Sequence, residues 1–408
     1  MDLNQTTSGE RIHISFFGMR NAGKSSLVNA VTGQQLSVVS DVKGTTTDPV
    51  KKAMELLPLG PVVIIDTPGL DDEGELGLLR VQKAKQILGQ TDIAILVIDS
   101  TLGMSQTDTE LEQEFQKRKI PYIIAWNKTD LLQTEPDSRA FASDDTHKCI
   151  FTSAFTNAGI ETLKRVLADF APKSKSQKVL VSDLVEAGDV IVLVTPIDES
   201  APKGRLILPQ QLTIRDILDA HGIVVTCQDT ELTATLKRLA CKPKMIITDS
   251  QVFGSVSKET PDDIPLTSFS ILMARYKGDL LRLVEGASVL SKLRDGDKVL
   301  ISEGCTHHRQ CNDIGTVKMP GWIENFSGKK ISFSFSSGGE FPEDLSPYAL
   351  VVHCGGCMLN EAEMKHRTEK CNSKNVPIVN YGIAIAHMHG ILKRSLTLFP
   401  DVLKLLDS

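Results

Sequence analysis

The sequence predicts an α/β fold in three parts, a doubly wound sheet followed by two smaller α/β domains. Three observations carry this reading. Short apolar runs of strand length alternate with helical stretches over roughly the first 170 residues. A polar, lysine-rich piece, APKSKSQK at 171–178, then breaks the alternation and reads as a linker. The alternation resumes from 189 and again from 297. The expected domains are 1–172, 178–265 and 266–408.

In the first domain the expected strands are IHISFF at 12–17, VVIID at 62–66, IAILVID at 93–99 and YIIAW at 122–126. An amphipathic helix is expected near 24–32, with others near 76–88, 107–119 and 160–170. The middle domain offers DVIVLVTP at 189–196, GIVVTC at 222–227 and KMIITD at 244–249, with helices near 211–220 and 230–240. The third offers helices near 268–291 and 360–372. Its strands are DKVLISEG at 297–304, ISFSFS at 331–336, YALVVHCGGC at 348–357 and VPIVNYG at 376–382.

Composition bounds the function. Of 408 residues, 41% are hydrophobic and 24% charged, which is ordinary globular usage, and the net charge of −6 argues against a broad nucleic-acid footprint. No apolar run is long enough to span a bilayer, and the polar N-terminus lacks a signal-peptide core, so a cytoplasmic protein is expected. In a reducing compartment, eight cysteines read as free thiols or metal ligands rather than disulfides.

The strongest motif is GMRNAGKSS at 18–26, of the form G-x-x-x-x-G-K-S, between a strand and a helix. Gly18 and Gly23 let backbone N–H groups approach phosphate oxygens, together with Asn21, Ala22, Ser25 and Ser26 at the helix start. Lys24 can neutralise the β- and γ-phosphates, and the Ser25 hydroxyl can ligate Mg²⁺. In DTPG at 66–69, Asp66 can hold Mg²⁺ and the Gly69 N–H can meet the γ-phosphate. NKTD at 127–130 supplies Asn127, Lys128 and Asp130, whose carboxylate matches the N1–H and 2-amino group of guanine. TSA at 152–154, with Ser153 and Ala154, supplies a backbone contact to the guanine O6. In this order the motifs resemble the P-loop GTPases over about residues 10–170. The first domain is therefore expected to be a P-loop GTPase.

Within that class, NAGKSSLVNAVTG at 21–33 and VSDVKGTTTD at 39–48 resemble the branch of Era and the tRNA-modification GTPase TrmE. Thr47 stands where that branch carries arginine. The resemblance implies that Thr46 is the switch threonine on Mg²⁺. It also implies that Asn21, with the carbonyls of Ser40 and Val42, holds a K⁺ that offsets transition-state charge; the plainer role for Asn21 is to cap its loop. Lys24, Asn21 and Thr46 are thus the candidate catalytic residues. Leu70 stands where Ras-like enzymes use glutamine to orient water, so slow intrinsic hydrolysis is expected; Glu73 or Glu75 are the acidic candidates nearby.

Near the other end lie EGCTHHRQC at 303–311 and VHCGGC at 352–357. Cys305, His307, His353, Cys354 and Cys357 form C-x-H…H-C-x-x-C, with both pieces at the ends of expected strands. Residues beyond the carboxyl ends of neighbouring parallel strands converge on one crevice. Structural zinc, an iron–sulfur cluster and unliganded thiols are the competing readings, and donor chemistry alone does not separate the first two. His308 and Cys311 read as neighbours of the motif. Cys149, Cys227, Cys241 and Cys371 read as small buried hydrophobes, and His387 and His389 as structural.

The GTPase motifs followed by C-x-H…H-C-x-x-C resemble the HydF family, the maturation GTPases of [FeFe]-hydrogenase, over essentially the whole chain. The resemblance implies a [4Fe–4S] cluster on Cys305, Cys354 and Cys357, with His307 or His353 as candidate fourth ligand. It implies a scaffold that receives a di-iron precursor of the H-cluster and delivers it to the apo-hydrogenase HydA. It further implies a middle dimerisation domain, a homodimer, and the radical-SAM maturases HydE and HydG as partners. Two other readings compete. A ribosome- or tRNA-associated GTPase with a zinc domain sits badly with the acidic balance, and a scaffold with a vestigial GTPase sits badly with intact motifs at Lys24, Asp66 and Asp130.

Overall fold

The computed structural model describes residues 8–35, 49–69, 83–134, 146–171, 179–197, 206–304 and 313–406. Ser40, Val42, Thr46, Leu70, Glu73, Glu75, Cys305, His307, His308 and Cys311 lie outside the described residues. The chain forms two compact units, Met1–Ser176 and Gln177–Ser408.

The first unit is built on six strands: β1 (Ile12–Phe17), β2 (Val50–Leu56), β3 (Gly60–Asp66), β4 (Ile93–Asp99), β5 (Tyr122–Asn127) and β6 (His147–Phe151). Their order is β2-β3-β1-β4-β5-β6, parallel except for β2 against β3. Alternate residues of β4 enter two different cores, Ile93, Ile95 and Val97 one and Ala94, Leu96 and Ile98 the other. Helices Lys24–Thr32 and Ile160–Phe170 cover the first face through Leu27, Val31, Leu163 and Leu167. The helical stretch at 83–88 and helix Gln106–Lys117 cover the second through Ile87, Leu88, Leu111 and Phe115. Sheet strands apolar on both faces, with a helix layer on each, are the doubly wound arrangement. Two strands are additions to the expected set. β2, VKKAMEL, sits at the edge with its lysines exposed and shows no apolar run, and β6, HKCIF, is short and mostly half-buried.

The second unit holds two four-stranded parallel sheets. One runs β10-β9-β7-β8, with β7 at Val190–Val194, β8 at Ile223–Cys227, β9 at Met245–Thr248 and β10 at Leu266–Ser268. The middle sheet thus takes a strand from beyond residue 265. The other runs β12-β11-β13-β14, with β11 at Lys298–Glu303, β12 at Ser332–Ser337, β13 at Leu350–His353 and β14 at Ile378–Asn380. A single hydrophobic core runs through both, from Ile191 and Ile246 to Ile301 and Val352. Helix Met319–Ser327, capped by Gly328, was not expected, because Pro320 and Gly321 in its first turn hide it. Of the lone cysteines, Cys227 and Cys371 are buried as expected and Cys149 is half-buried. Cys241 corrects that expectation: it is exposed in the surface loop after helix Leu232–Arg238.

Among the described residues, no helix is long and apolar enough to cross a membrane.

Candidate functional site

In the first unit the sequence-identified residues that the structure describes lie at or just after the carboxyl ends of β1, β3, β5 and β6. Gly18 leaves β1 at φ 138°, where a Cβ would stand 2.2 Å from the Val97 carbonyl oxygen. Only glycine fits that approach. Asn21 adopts φ 60° and is exposed at the loop tip, a conformation asparagine tolerates better than most residues. Lys24 is buried, and its Nζ donates to the carbonyls of Gly18 (3.0 Å) and Met19 (2.8 Å).

The Ser25 hydroxyl donates to Asp66 Oδ2 at 2.7 Å. Asp66 Oδ1 is buried and has no hydrogen-bond partner among the described residues. A buried carboxylate oxygen without a donor is costly unless a cation or water completes it. The donor set fits Mg²⁺, a hard cation that takes oxygen ligands. Thr67 pins the 66–69 loop to β1 through Oγ1–H to the Phe16 carbonyl at 2.6 Å. Gly69 passes close enough to the phosphate loop that a Cβ would lie 2.9 Å from Arg20 Cα.

Asn127 staples the base side together. Its Nδ2 donates to the Ala22 carbonyl at 3.1 Å, and its Oδ1 accepts from Ala154 N at 3.1 Å. The Ala154 N–H, one backbone group of the TSA run expected to contact the guanine O6, donates to Asn127 here. The Ser153 hydroxyl donates to Asp130 Oδ1 and so orients that carboxylate. Lys128 holds φ 64° and its Nζ donates to Asp99 Oδ2 at 2.6 Å. Asp99 also accepts from the N–H and hydroxyl of Thr101, at 2.9 and 2.6 Å. Burial pushes the Asp99 carboxyl up, but Lys128 and the Thr101 bonds outweigh it and hold it below the ordinary carboxylate value. Asp99 was missed in the sequence; the signal was a carboxylate closing the strand beside NKTD.

In the second unit β11 and β13 are parallel neighbours, with Ser302 opposite His353. Gly304, the residue before Cys305, donates its N–H to Cys354 Sγ at 3.0 Å, and Gly356 N adds a second donor at 3.4 Å. The two cysteine-bearing loops thus start from one point. Gly356 turns at φ 61°, with Met364 Sδ where a Cβ would go. Buried Lys277 donates to the carbonyls of Cys357 (3.2 Å) and Leu359 (3.0 Å). Burial pushes the Cys354 thiol up to about 11 against the pull of the two glycine amides. Burial also raises Cys357, with Lys277 opposing. By exposure Cys354 and Cys357 are half-buried, and thiols raised in this way ionise readily only when a cation compensates them, which suits a thiolate-bound metal. Among the described residues no three metal-type side chains are gathered. Cys305 and His307 fall outside them.

His353 has no solvent exposure and both ring nitrogens are engaged, Nδ1 with the Cys354 carbonyl at 2.7 Å and Nε2 with Arg367 Nη1 at 3.0 Å. Burial first, and Arg367 second, lower its pKa to about 3, so the ring is neutral. His387 instead meets Ser291 Oγ at 3.1 Å and the Phe326 ring, and His389 packs on Gly254, in structural roles.

Comparison with known proteins finds three matching stretches of the chain. A model of the hydrogen maturase F dimerization domain matches residues 180–278, and one of the hydrogen maturase F tetramerization domain matches 281–398. A model described as a 50S ribosome-binding GTPase matches 13–128. GTPase Der of Kosmotoga olearia is 33% identical over 175 residues, which is 40% of this chain and 39% of that protein. The tRNA modification GTPase MnmE of Laribacter hongkongensis is 30% identical over 161 residues, 39% of this chain and 35% of that one. The chain therefore spans about two fifths or less of these relatives' own length. Among solved structures, the G domain of the T. maritima FeoB iron transporter is 25% identical, with 40% of this chain and 99% of that one covered, at a TM-score of 0.32. Aquifex aeolicus Era is 16% identical, with 80% and 93% covered, at 0.36.

Proposed function

This chain belongs to the hydrogen maturase F family, and we propose that it is a GTP-switched carrier of an iron–sulfur site in [FeFe]-hydrogenase maturation. The GTPase domain implies GTP, GDP and Mg²⁺ as ligands. Ser25 and Asp66 would hold the metal, which supplies charge neutralisation at the phosphates. Lys24 serves the β- and γ-phosphates, and Asn127, Lys128 and Asp130 serve the base. In our reading Thr46 completes the Mg²⁺ site in the GTP state. Asn21, with Ser40 and Val42, binds the K⁺ that does an arginine finger's work.

In the second unit we assign a [4Fe–4S] cluster to Cys305, Cys354 and Cys357. The observation that carries this is the Gly304 N–H on Cys354 Sγ at 3.0 Å, which brings the start of one cysteine loop onto the sulfur of the other. Three fixed thiolates leave a labile fourth iron position, where the di-iron precursor binds and leaves. His307 is the better candidate for a resting fourth ligand, because His353 already spends both nitrogens. HydE, HydG and the hydrogenase HydA are the proposed partners, with nucleotide state setting which of them binds.

Anaerobic reconstitution with iron, sulfide and zinc analysis, and EPR after reduction, tests the cluster. Iron and sulfide near four per chain, lost in Cys354→Ser, is the expected result by cluster stoichiometry. Stoichiometric zinc without a cluster signal overturns it. GTP turnover should be faster in KCl than in NaCl, and Asn21→Ala should erase the difference; equal wild-type rates remove the K⁺ assignment. Equal affinity of GTP- and GDP-bound forms for all three partners would defeat the switch.

A further inference from the structure

Among the described residues Arg367 heads the fully buried side chains by size, in a helix, Glu361–Ser373, whose sequence is mostly polar. A guanidinium survives there only when its N–H groups find acceptors. Nε donates to Glu363 Oε1 at 2.8 Å, and Nη2 to the Gly338 carbonyl at 2.6 Å. Nη1 donates to Ser302 Oγ at 3.3 Å and His353 Nε2 at 3.0 Å. The Phe341 ring lies 5.1 Å from the guanidinium carbon.

Arginine has no acceptor atom, so His353 Nε2 must be the acceptor. The proton is then on Nδ1, which donates to the Cys354 carbonyl at 2.7 Å. A continuous line therefore runs from Glu363 through Arg367 and His353 to the Cys354 backbone. The same residue's sulfur takes the Gly304 and Gly356 amides. Swinging His353 towards a metal would strand a buried guanidinium N–H and a part-buried carbonyl.

We propose that Arg367, acting through His353, is a positioning residue of the metal site: it fixes the Cys354 carbonyl, and so the direction of the Cys354 sulfur, and keeps His353 out of the ligand set. This rests on the assignment of Cys305, Cys354 and Cys357 as metal ligands and adds the device that aims one of them. Ligand orientation by an outer hydrogen-bond partner typically affects metal affinity by 10–100-fold.

The test titrates the full-length, reduced, metal-free protein with Co²⁺ and follows the thiolate-to-cobalt charge-transfer band. In His353→Gln the amide oxygen can accept from Arg367 and the amide N–H can donate to Cys354, so affinity and band should stay close to wild type. His353→Leu should weaken binding by about 10–100-fold, and Arg367→Met paired with Glu363→Leu should do the same, with circular dichroism unchanged. If His353→Gln loses as much as His353→Leu and the band shifts, His353 is a ligand and the proposal fails. If His353→Leu binds Co²⁺ as tightly as wild type, the relay has no role and the proposal fails. Should the paired variant not fold, the two His353 variants decide alone. Cys354→Ser separates the assumptions: undiminished binding there overturns the metal-site assignment itself, and the proposal with it.

Discussion

Asp99 and Lys128 close neighbouring strand ends, and their ion pair lies beside the phosphate loop. Lys128 Cε would be 3.9 Å from a Cβ at Gly23, so the lysine stem crosses that loop. Asp99 thereby fixes a residue expected at the base while touching none of the reacting atoms. Asp99→Ala should raise the KM for GTP roughly three- to tenfold and leave kcat nearly unchanged, the signature of lost uniform binding. A fall in kcat with KM constant, measured by steady-state turnover, would refute that role. The pH sign follows from the lowered Asp99 carboxyl. A carboxyl held below its unfolded value adds stability that is full above that value and is lost as pH falls through the lower folded value. The contribution is therefore complete at neutral pH and fades only in acid below the ordinary carboxylate value; in Asp99→Ala the acid limb of the unfolding curve should flatten. At this scale the sequence names candidates where a motif specifies the atom, as with Lys24, Ser25, Asp66 and Asp130. It was illegible where a partner comes from a distant element. Arg367 in EAEMKHRTEKCNS reads as one more solvated charge, and only tertiary packing shows Glu363, Arg367 and Cys371 on one buried face.

Strands buried on both sides were easy to read, because β4 and β7 are unbroken apolar runs. Edge strands were harder, since one side needs no burial: β2 carries exposed lysines, and it escaped the pattern. β8 is an edge of the opposite kind. It ends the order β10-β9-β7-β8 and is apolar, with Ile223 50% exposed and Leu218, in the preceding helix, 52% exposed. An apolar edge with no neighbouring strand among the described residues invites pairing with another chain. It lies inside the segment matched by the dimerization-domain model. We expect β8 to form the seam of a homodimer. Ile223→Lys with Thr226→Lys replaces two exposed side chains and should leave the subunit folded, yet lower the mass measured by sedimentation equilibrium by one association step. An unchanged mass would move the seam elsewhere.

At the scale of the molecule, each unit closes its own core: two on either side of the six-stranded sheet, and one running through both smaller sheets. The linker at 171–178 announced the first boundary in composition. The fusion of the last two parts could not be read, because shared burial of Ile191 and Val352 in one core has no local signature. Separate cores predict two transitions in calorimetry. GTP with Mg²⁺ at about 100 times its Kd should stabilise only the first unit, by about 2.7 kcal/mol, or roughly 5–10 °C for a domain of this size. Reconstitution with iron and sulfide should raise only the second. A single transition, or two that move together with nucleotide, would mean that the units share stability. The distinction bears on mechanism, because a ligand shifts only those equilibria whose states it binds differently. With independent transitions, the nucleotide reaches the thiolate site by changing which partner or subunit is bound. With coupled ones, the signal passes within the chain, and Asp66→Asn should then alter the cluster's reduction potential in the absence of any partner.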